Sequence, residues 1–168
     1  ILVVEDDAPI RNLITTTLKT QDYKYIAAAT ASEALQQATI HAPDVMLLDL
    51  GLPDLDGIEV IRRIRSWSAM PIIVISARSE DSDKIEALDS GADDYLTKPF
   101  SVEELLARLR VTFRRISMLQ NAAGCSVFTN GDLQIDFAAG CATLKGQELH
   151  LTPIEYRLLC VMAKNCGK

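Results

Sequence analysis

The chain has 168 residues, a formal net charge of −6 and a hydrophobic content of 48%. This length suits one ordinary domain with part of a second, or two small domains. The acidic balance argues against non-specific nucleic-acid binding by the chain as a whole, and no run approaches the roughly 18–20 uncharged apolar residues that span a bilayer. The sequence starts at Ile1 inside a strand-like run, without an initiator methionine or signal peptide, so we expect further residues to precede it.

All four cysteines lie in the last third of the chain, at Cys125, Cys141, Cys160 and Cys166. They lack C-x-x-C spacing and histidines at zinc-binding distances, which argues against a metal site built on them. We therefore expect reduced thiols and a cytoplasmic location.

Apolar runs alternate with amphipathic segments five times between Ile1 and about Ile116. The predicted strands are residues 1–5, 24–28, 45–49, 72–76 and 94–97. The predicted helices are residues 8–20, 31–41, 57–65, 82–90 and 101–116. Because the aliphatic runs are continuous, they indicate strands buried on both faces. Five such units predict an α/β domain with a five-stranded, doubly wound parallel sheet.

Three of these helices carry end signals. Thr30 or Ser32 caps the second, Gly91 ends the fourth, and Ser101 with Glu104 forms a capping box at the fifth. These residues support the predicted helix positions independently of the apolar pattern.

The pattern changes after the fifth helix. Residues 117–125 are small and polar, and we interpret them as a linker between a domain at 1–116 and a second at 126–168. Short strand-like pieces follow, separated by turn residues, at 126–128, 133–136, 142–144 and 148–151. Thr152 and Pro153 then begin a helix as its N-cap and first residues. Since a β-meander with one helix has a poor core, we expect the opening of a domain whose remainder is absent.

Polar groups follow the predicted strands of the first domain. Glu5 and Asp6 end the first, Asp49 the third, Ser76 the fourth and Lys98 the fifth. In parallel sheets the carboxyl ends of the strands form the ligand site, so we expect these groups to converge. Mg²⁺ takes one or two carboxylates with phosphate oxygens, and a lysine neutralises a phosphoryl oxygen as a point charge. The set predicts an aspartate that accepts a phosphoryl group beside magnesium.

Each group also has a simpler explanation when taken alone. Asp6 or Asp7 can cap the next helix, Asp49 can form an Asx turn, Lys98 can be a surface lysine, and Ser76 can bond to backbone. Their shared place at strand ends is what favours a site.

Four motifs in order resemble the receiver domain of two-component response regulators. They are VVEDD at 3–7, LDLGLPDLDG at 48–57, ISAR at 75–78 and GADDYLTKPF at 91–100. Residues 149–159 are similar to the start of the winged-helix effector domain of the OmpR/PhoB class. A narrower similarity, over residues 49–100, is to the regulator of a potassium-uptake system. The resemblance implies a flavodoxin-like receiver, followed by the first β-meander and helix of a winged-helix domain.

The resemblance also implies roles for individual residues. Asp49 would be the phosphoacceptor, and Asp6, Asp49 and the Gly51 carbonyl would bind Mg²⁺ directly, with Glu5 acting through water. Lys98 would bind the phosphoryl group, and its bond to Pro99 would be cis. Ser76 and Tyr95 would form a switch pair in which Ser76 moves toward the phosphoryl oxygens and Tyr95 turns inward. The chain would accept phosphate from a sensor histidine kinase and would not be a turnover enzyme.

The same resemblance implies a two-fold homodimer on phosphorylation, formed by the fourth helix, fifth strand and fifth helix. Three inter-subunit pairs carry it: Lys84 with Glu104, Asp94 with Arg108, and Asp93 with Arg115. Glu104, Arg108 and Arg115 share one helix stripe, although an exposed helix face with an internal Glu104–Arg108 pair explains the same pattern. Promoter DNA would bind to the effector domain of the intact protein, not to this fragment, and no membrane would be involved.

Three other functions remain open at this stage. Asp54-Leu55-Asp56-Gly57 imitates the D-x-D-G motif of aspartyl-nucleophile phosphatases, although the apolar run ends at Asp49. A nucleotide- or flavin-binding module is disfavoured because no glycine-rich loop follows the first strand. A receiver that only docks proteins is disfavoured by the intact set of Asp6, Asp49, Ser76 and Lys98.

Overall fold

The computed structural model describes residues 1–122, 127–136, 141–149, 151 and 153–164. The chain divides into two compact units, residues 1–112 and 113–168. The predicted cap at Thr152 and the cysteines at 125 and 166 lie outside the described residues.

The first unit contains a five-stranded parallel sheet in the order β2-β1-β3-β4-β5. Its strands are β1 (Leu2–Val4), β2 (Ile26–Ala28), β3 (Met46–Leu48), β4 (Ile72–Ser76) and β5 (Asp94–Thr97). Its helices are α1 (Ala8–Thr20), α2 (Ala31–His41), α3 (Gly57–Arg65), α4 (Asp81–Asp89) and α5 (Val102–Ala122), of which α5 continues into the second unit. The strand order reverses between β1 and β3, which is where open α/β sheets bind ligands.

The central strands are buried along their whole length. Every residue of β1, β3 and β4 is buried, and the aliphatic runs that predicted them form the core. Helix α3 adds Ile58, Val60, Ile61 and Ile64 from one face, as its apolar spacing requires. The predicted fold class is therefore confirmed.

Side-chain caps begin four of the described helices, α1, α2, α3 and α5. Asp7 caps α1, Thr30 caps α2, and Asp56 caps α3, each by accepting a hydrogen bond from a backbone N–H of the first turn. The capping box predicted at Ser101 is only half formed. The Ser101 hydroxyl accepts a hydrogen bond from Glu104 N at 3.1 Å, but the Glu104 carboxylate accepts one from Arg108 instead of turning back.

The predicted end of the fifth helix at Ile116 was wrong, because α5 continues to Ala122. Residues 117–122 contain neither glycine nor proline, and Gly124 is the first residue that breaks a helix. The helix therefore covers most of the predicted linker, while the boundaries of the two domains stay predictions.

The second unit contains an antiparallel meander in the order β6-β7-β8-β9. Its elements are β6 (Val127–Asn130), β7 (Leu133–Asp136), β8 (Cys141–Leu144), β9 (Gln147–Glu148) and helix α6 (Pro153–Lys164). Lys145 and Gly146 both have positive φ, at 52° and 77°, which suits the two-residue turn that joins β8 to β9. Cys141 and Cys160 are free thiols. Within the described part of the chain, no helix has the length and apolar character that a bilayer crossing requires.

Arg65, at the end of α3, joins three segments at the edge of the sheet where the strands begin. Its guanidinium donates to the carbonyls of Gly91 at 2.8 Å and Met70 at 2.6 Å, and it pairs with Asp93 at 2.8 Å. Gly91 has φ +112°, and a Cβ there would lie 2.8 Å from Arg65 Cγ. A glycine is required at this turn by both its backbone angle and the approach of the arginine.

Replacing Arg65 by methionine keeps the aliphatic stem but leaves the carbonyls of Ser68, Met70 and Gly91, and Asp93, without this donor. We expect Arg65→Met to lower the free energy of unfolding by about 2–3 kcal/mol, measured by urea denaturation. Arg63→Met is the control, since Arg63 makes an exposed pair with Glu59 at 3.0 Å. Equal stabilities of the two variants would contradict this account of Arg65.

Candidate functional site

Two neighbouring strands bring the acidic groups together. Val4 of β1 is paired with Leu48 of β3, so the residues that follow them, Glu5 and Asp49, lie side by side. Asp49 N also donates to Val4 O at 2.9 Å. Carboxylate oxygens of Glu5, Asp6 and Asp49 lie within 4.8 Å of one another. The three acidic residues therefore converge at one edge of the sheet, as the sequence predicted.

Lys98, which follows β5, reaches across to this cluster. Its Nζ lies 2.8 Å from Asp49 Oδ2, and 2.9 Å and 2.8 Å from the two oxygens of Glu5. The side chains are only 13% exposed for Lys98, 9% for Asp49 and 1% for Glu5. One ammonium therefore serves two buried carboxylates.

The charges of this cluster are not balanced by protein groups alone. Burial raises the pKa of the Glu5 carboxyl to about 7, against the hydrogen bond from Lys98 that lowers it. Burial lowers the pKa of the Lys98 ammonium, but hydrogen bonds to Asp49 and Glu5 outweigh it, so that the pKa is raised. With Asp6 beside them, three acidic groups face one lysine, and the surplus is negative.

These residues fit a magnesium ion. All three donors are carboxylate oxygens, the ligands that this ion prefers. Glu5 Oε2 is buried and accepts no hydrogen bond, although the Lys98 ammonium lies close to it. At Gly51 a Cβ would lie 3.9 Å from both carboxylate oxygens of Asp49, so the glycine leaves space beside that carboxylate. Gly51 N donates to Asp49 Oδ1 at 3.2 Å, which keeps this loop next to the cluster.

Ser76 and Tyr95 both form hydrogen bonds with the main chain of Arg78. Ser76 is buried at the end of β4, and its Oγ accepts a hydrogen bond from Arg78 N at 3.2 Å. The Tyr95 hydroxyl donates to Arg78 O at 2.8 Å, and its ring packs against the core. Burial raises the pKa of the Tyr95 hydroxyl. Lys98 N donates to Ser76 O at 2.8 Å, and the predicted cis bond between Lys98 and Pro99 is confirmed.

Two arginines near the site were missed by the sequence analysis. Arg11, on α1, donates to the carbonyls of Glu5 at 2.6 Å and Asp6 at 3.0 Å, and so fixes the loop that carries both acids. Arg78 pairs with Asp56 at 2.7 Å. The motif ISAR included Arg78, but nothing in the sequence indicated its partner.

The two aspartates of the D-x-D-G motif act as helix caps. Asp54 accepts hydrogen bonds from Ala31 N, Ser32 N and Ser32 Oγ at the start of α2, and Asp56 accepts one from Ile58 N at 2.9 Å. A Cβ at Gly57 would lie 2.7 Å from Asp49 O, so the motif packs directly against the backbone of the acidic cluster. These contacts argue against a phosphatase nucleophile at Asp54.

Most residues predicted for a dimer face have partners within the chain. Arg108 contacts Asp94 at 2.8 Å and Glu104 at 2.8 Å, Lys84 contacts Asp81 at 3.5 Å, and Asp93 contacts Arg65. Arg115 is exposed and belongs to the second unit. The Asp94–Arg108 pair predicted between subunits is thus formed inside one chain.

Removing the Lys98 ammonium should leave two buried carboxylates without their cation. We expect Lys98→Met to lower the free energy of unfolding by about 3 kcal/mol in the absence of divalent cations. Adding Asp49→Asn should restore part of this loss, because it removes one of the opposed charges. Denaturation in a chelating buffer tests both; a double variant no more stable than Lys98→Met would contradict the charge argument.

The cap at Asp54 makes a second stability contribution that depends on pH. Hydrogen bonds from the backbone of Ser32 and Ala31 lower the pKa of Asp54 to about 2. A carboxyl group whose pKa is lower in the folded than in the unfolded state stabilises the fold at pH values above its unfolded-state pKa. This stabilisation is lost as the pH falls through the folded-state pKa. The melting temperatures of wild type and Asp54→Ala should therefore differ most above about pH 4, and the difference should shrink as the pH falls from about 4 to about 2. Asp89→Ala, on exposed α4 surface, is the control, and a difference independent of pH would contradict the assignment.

Comparison with known proteins identifies the family. Residues 1–110 match the response regulator receiver domain. The chain is 50% identical to the KDP operon transcriptional regulatory protein KdpE of Escherichia coli over 168 residues, which cover all of this chain and 74% of that protein. It is 38% identical to the virulence transcriptional regulatory protein PhoP of Salmonella typhi over 169 residues, which also cover all of this chain and 74% of that protein. Among solved structures, the response regulator DrrB, an OmpR/PhoB homologue of Thermotoga maritima, is 32% identical with a TM-score of 0.59, covering 99% of this chain and 73% of that one. The chain therefore belongs to the response regulators of two-component systems, in the OmpR/PhoB class.

Proposed function

We propose that Asp49 accepts a phosphoryl group from a sensor histidine kinase at the cluster of Glu5, Asp6 and Lys98. The observation that carries this proposal is the Lys98 ammonium, which lies within 2.9 Å of both Glu5 and Asp49 in a pocket with a negative surplus. Glu5, Asp6 and Asp49, with the Gly51 carbonyl, would hold Mg²⁺. The ion, when bound, neutralises charge that develops on the phosphoryl oxygens.

The residues of the chain perform the rest of the transfer. A carboxylate oxygen of Asp49 attacks phosphorus in line, and the bond from phosphorus to the donor breaks, so that its electron pair leaves with the donor. Lys98, already in contact with Asp49, neutralises one phosphoryl oxygen. The Ser76 hydroxyl accepts from Arg78 N, and its own O–H is a donor that would turn toward another phosphoryl oxygen.

The output of this step would be a dimer. Phosphorylation adds charge and acceptor oxygens, which draw Ser76 and Lys98 toward the group, with Tyr95 held inward behind Ser76. The face formed by α4, β5 and α5 would then pair with a second copy through Lys84 with Glu104, Asp94 with Arg108, and Asp93 with Arg115. In the intact protein the dimer would bind promoter DNA in the cytoplasm, at potassium-transport genes if the similarity to KdpE extends to its targets.

Incubation with a small phosphodonor and Mg²⁺, followed by intact-mass measurement, tests the phosphoacceptor. The wild type should gain one phosphate, and Asp49→Asn should gain none. Asp54→Asn is the matched control because Asp54 is another aspartate of the same loop. Equal gain by Asp49→Asn would refute the assignment, and continuous turnover of a phosphate monoester would favour the phosphatase alternative.

Sedimentation with Mg²⁺ and beryllofluoride, a phosphoryl mimic, tests the dimer. We expect the wild type to dimerise in the presence of the mimic and Arg108→Ala to dimerise about fivefold more weakly, as expected for loss of a partly exposed ion pair. Arg63→Ala, which alters an exposed pair on α3, should behave as wild type. Unchanged dimerisation of Arg108→Ala would remove this face from the proposal.

A further inference from the structure

Arg78 contacts three parts of the site. Its backbone N–H donates to Ser76 Oγ at 3.2 Å, and its carbonyl accepts from the Tyr95 hydroxyl at 2.8 Å. Its guanidinium pairs with Asp56 at 2.7 Å, and Asp56 begins α3 directly after the loop of Asp49. The backbone of this one residue therefore contacts both members of the proposed switch pair, while its side chain is held by the opposite loop.

The contacts of Arg78 differ in how firmly they fix the backbone of the loop after β4, which consists of residues 77–80. Ser76 and Tyr95 belong to strands β4 and β5, which are neighbours in the sheet, so the sheet determines their positions. Ala77 and Ser79, on either side of Arg78, are exposed, so their side chains bury little that would hold the loop. The side chain of Arg78 is thus the contact that ties this loop to the loop after β3.

We propose that the Asp56–Arg78 ion pair is a clamp across the phosphorylation site. By fixing the main chain of Arg78, it keeps the hydroxyls of Ser76 and Tyr95 in the arrangement that receives the phosphoryl group. Arg78 acts as a positioning residue, because it works through Ser76 and Tyr95 and is not required to touch the phosphoryl group. This inference rests on the proposed function of Asp49 and Ser76.

The exposure of the pair limits the size of the effect. The side chains of Arg78 and Asp56 are 38% and 47% exposed, and such pairs change an equilibrium by a few-fold at most. Burial raises the pKa of the Asp56 carboxyl, but the hydrogen bonds from the Arg78 side chain and from the Ile58 backbone N–H lower it by more. The net effect is a pKa below the usual value, so the carboxylate stays charged. Loss of the clamp should lower the population of the receptive arrangement, and affinity for a phosphoryl mimic falls by the same fraction.

The ion pair and the helix cap of Asp56 can be tested separately, because the two oxygens of its carboxylate have different partners. Oδ1 caps α3 by accepting from Ile58 N, and Oδ2 pairs with Arg78. Asn is as good an N-cap as Asp, so Asp56→Asn removes the ion pair and keeps the cap. Arg78→Gln removes the other charge, Arg78→Lys retains it, and Arg63→Gln breaks an exposed pair of similar length elsewhere on α3 as the control.

The first measurement is calorimetric titration of each full-length chain with beryllofluoride in the presence of Mg²⁺. We expect affinity to fall about two- to fivefold in Arg78→Gln and in Asp56→Asn, with Arg78→Lys recovering part of it. The double variant should lose no more than either single variant, because both remove the same contact. Additive losses, or a loss equal to that of Arg63→Gln, would overturn the clamp.

The second measurement uses the ligand-free protein and so does not depend on phosphorylation. Deuterium uptake by the peptide that contains residues 77–80 should increase in Arg78→Gln and Asp56→Asn and stay unchanged in Arg63→Gln. Unchanged uptake in all three would overturn the clamp. A wild type that fails to bind the mimic would refute the proposed function instead, while the uptake of the loop would still decide whether the ion pair positions it.

Discussion

The contact of Lys98 with Glu5 and Asp49 is the interaction on which the site depends. Two carboxylates that are at most 9% exposed follow β1 and β3, two central strands made only of buried apolar residues. Removing such charges from water costs several kcal/mol each, and an opposite charge at 2.8–2.9 Å is what makes the arrangement tolerable. A single ammonium does not balance three acidic groups. The remaining negative charge favours a divalent cation, and in the proposed function that cation and Lys98 would together neutralise a phosphoryl group on Asp49.

The loops that carry these residues are fixed by side chains that are not themselves ligands. Arg11 holds the loop after β1 through two carbonyls, and Asp54 and Asp56 cap the helices on either side of the loop after β3. Lys98 N bonds to Ser76 O, which fixes the loop after β5 against β4. Local hydrogen bonds of this kind set the direction of each carboxylate more closely than strand position alone. The loop after β4 is held instead by the contacts of one residue, Arg78.

The sequence predicted what depends on periodicity and strand order. Continuous apolar runs gave buried parallel strands, and the convergence of Glu5, Asp6, Asp49 and Lys98 followed because the carboxyl ends of such strands share one edge. Contacts of long side chains were not predictable in this way. Arg65, Arg11 and Arg78 reach backbone or acidic partners that are 5 to 28 positions away, and tertiary geometry alone decides which partner is reached. The half-formed capping box at Ser101 is explained in the same way, because the Glu104 carboxylate contacts Arg108, one helical turn later, and not the start of the helix.

The ion pairs within the chain bear on the proposed dimer face. Arg108 already contacts Asp94 and Glu104, so in the proposed dimer a bridge to Asp94 of the partner subunit would replace an existing pair of the same chemistry. Exchange between equivalent partly exposed ion pairs changes the free energy little, because each contributes at most about 1 kcal/mol. In that proposal these residues would define which surfaces match and would change the dimerisation constant by a few-fold. Because the two arrangements would then differ little in free energy, a small bias from the phosphorylation site would be enough to decide between them.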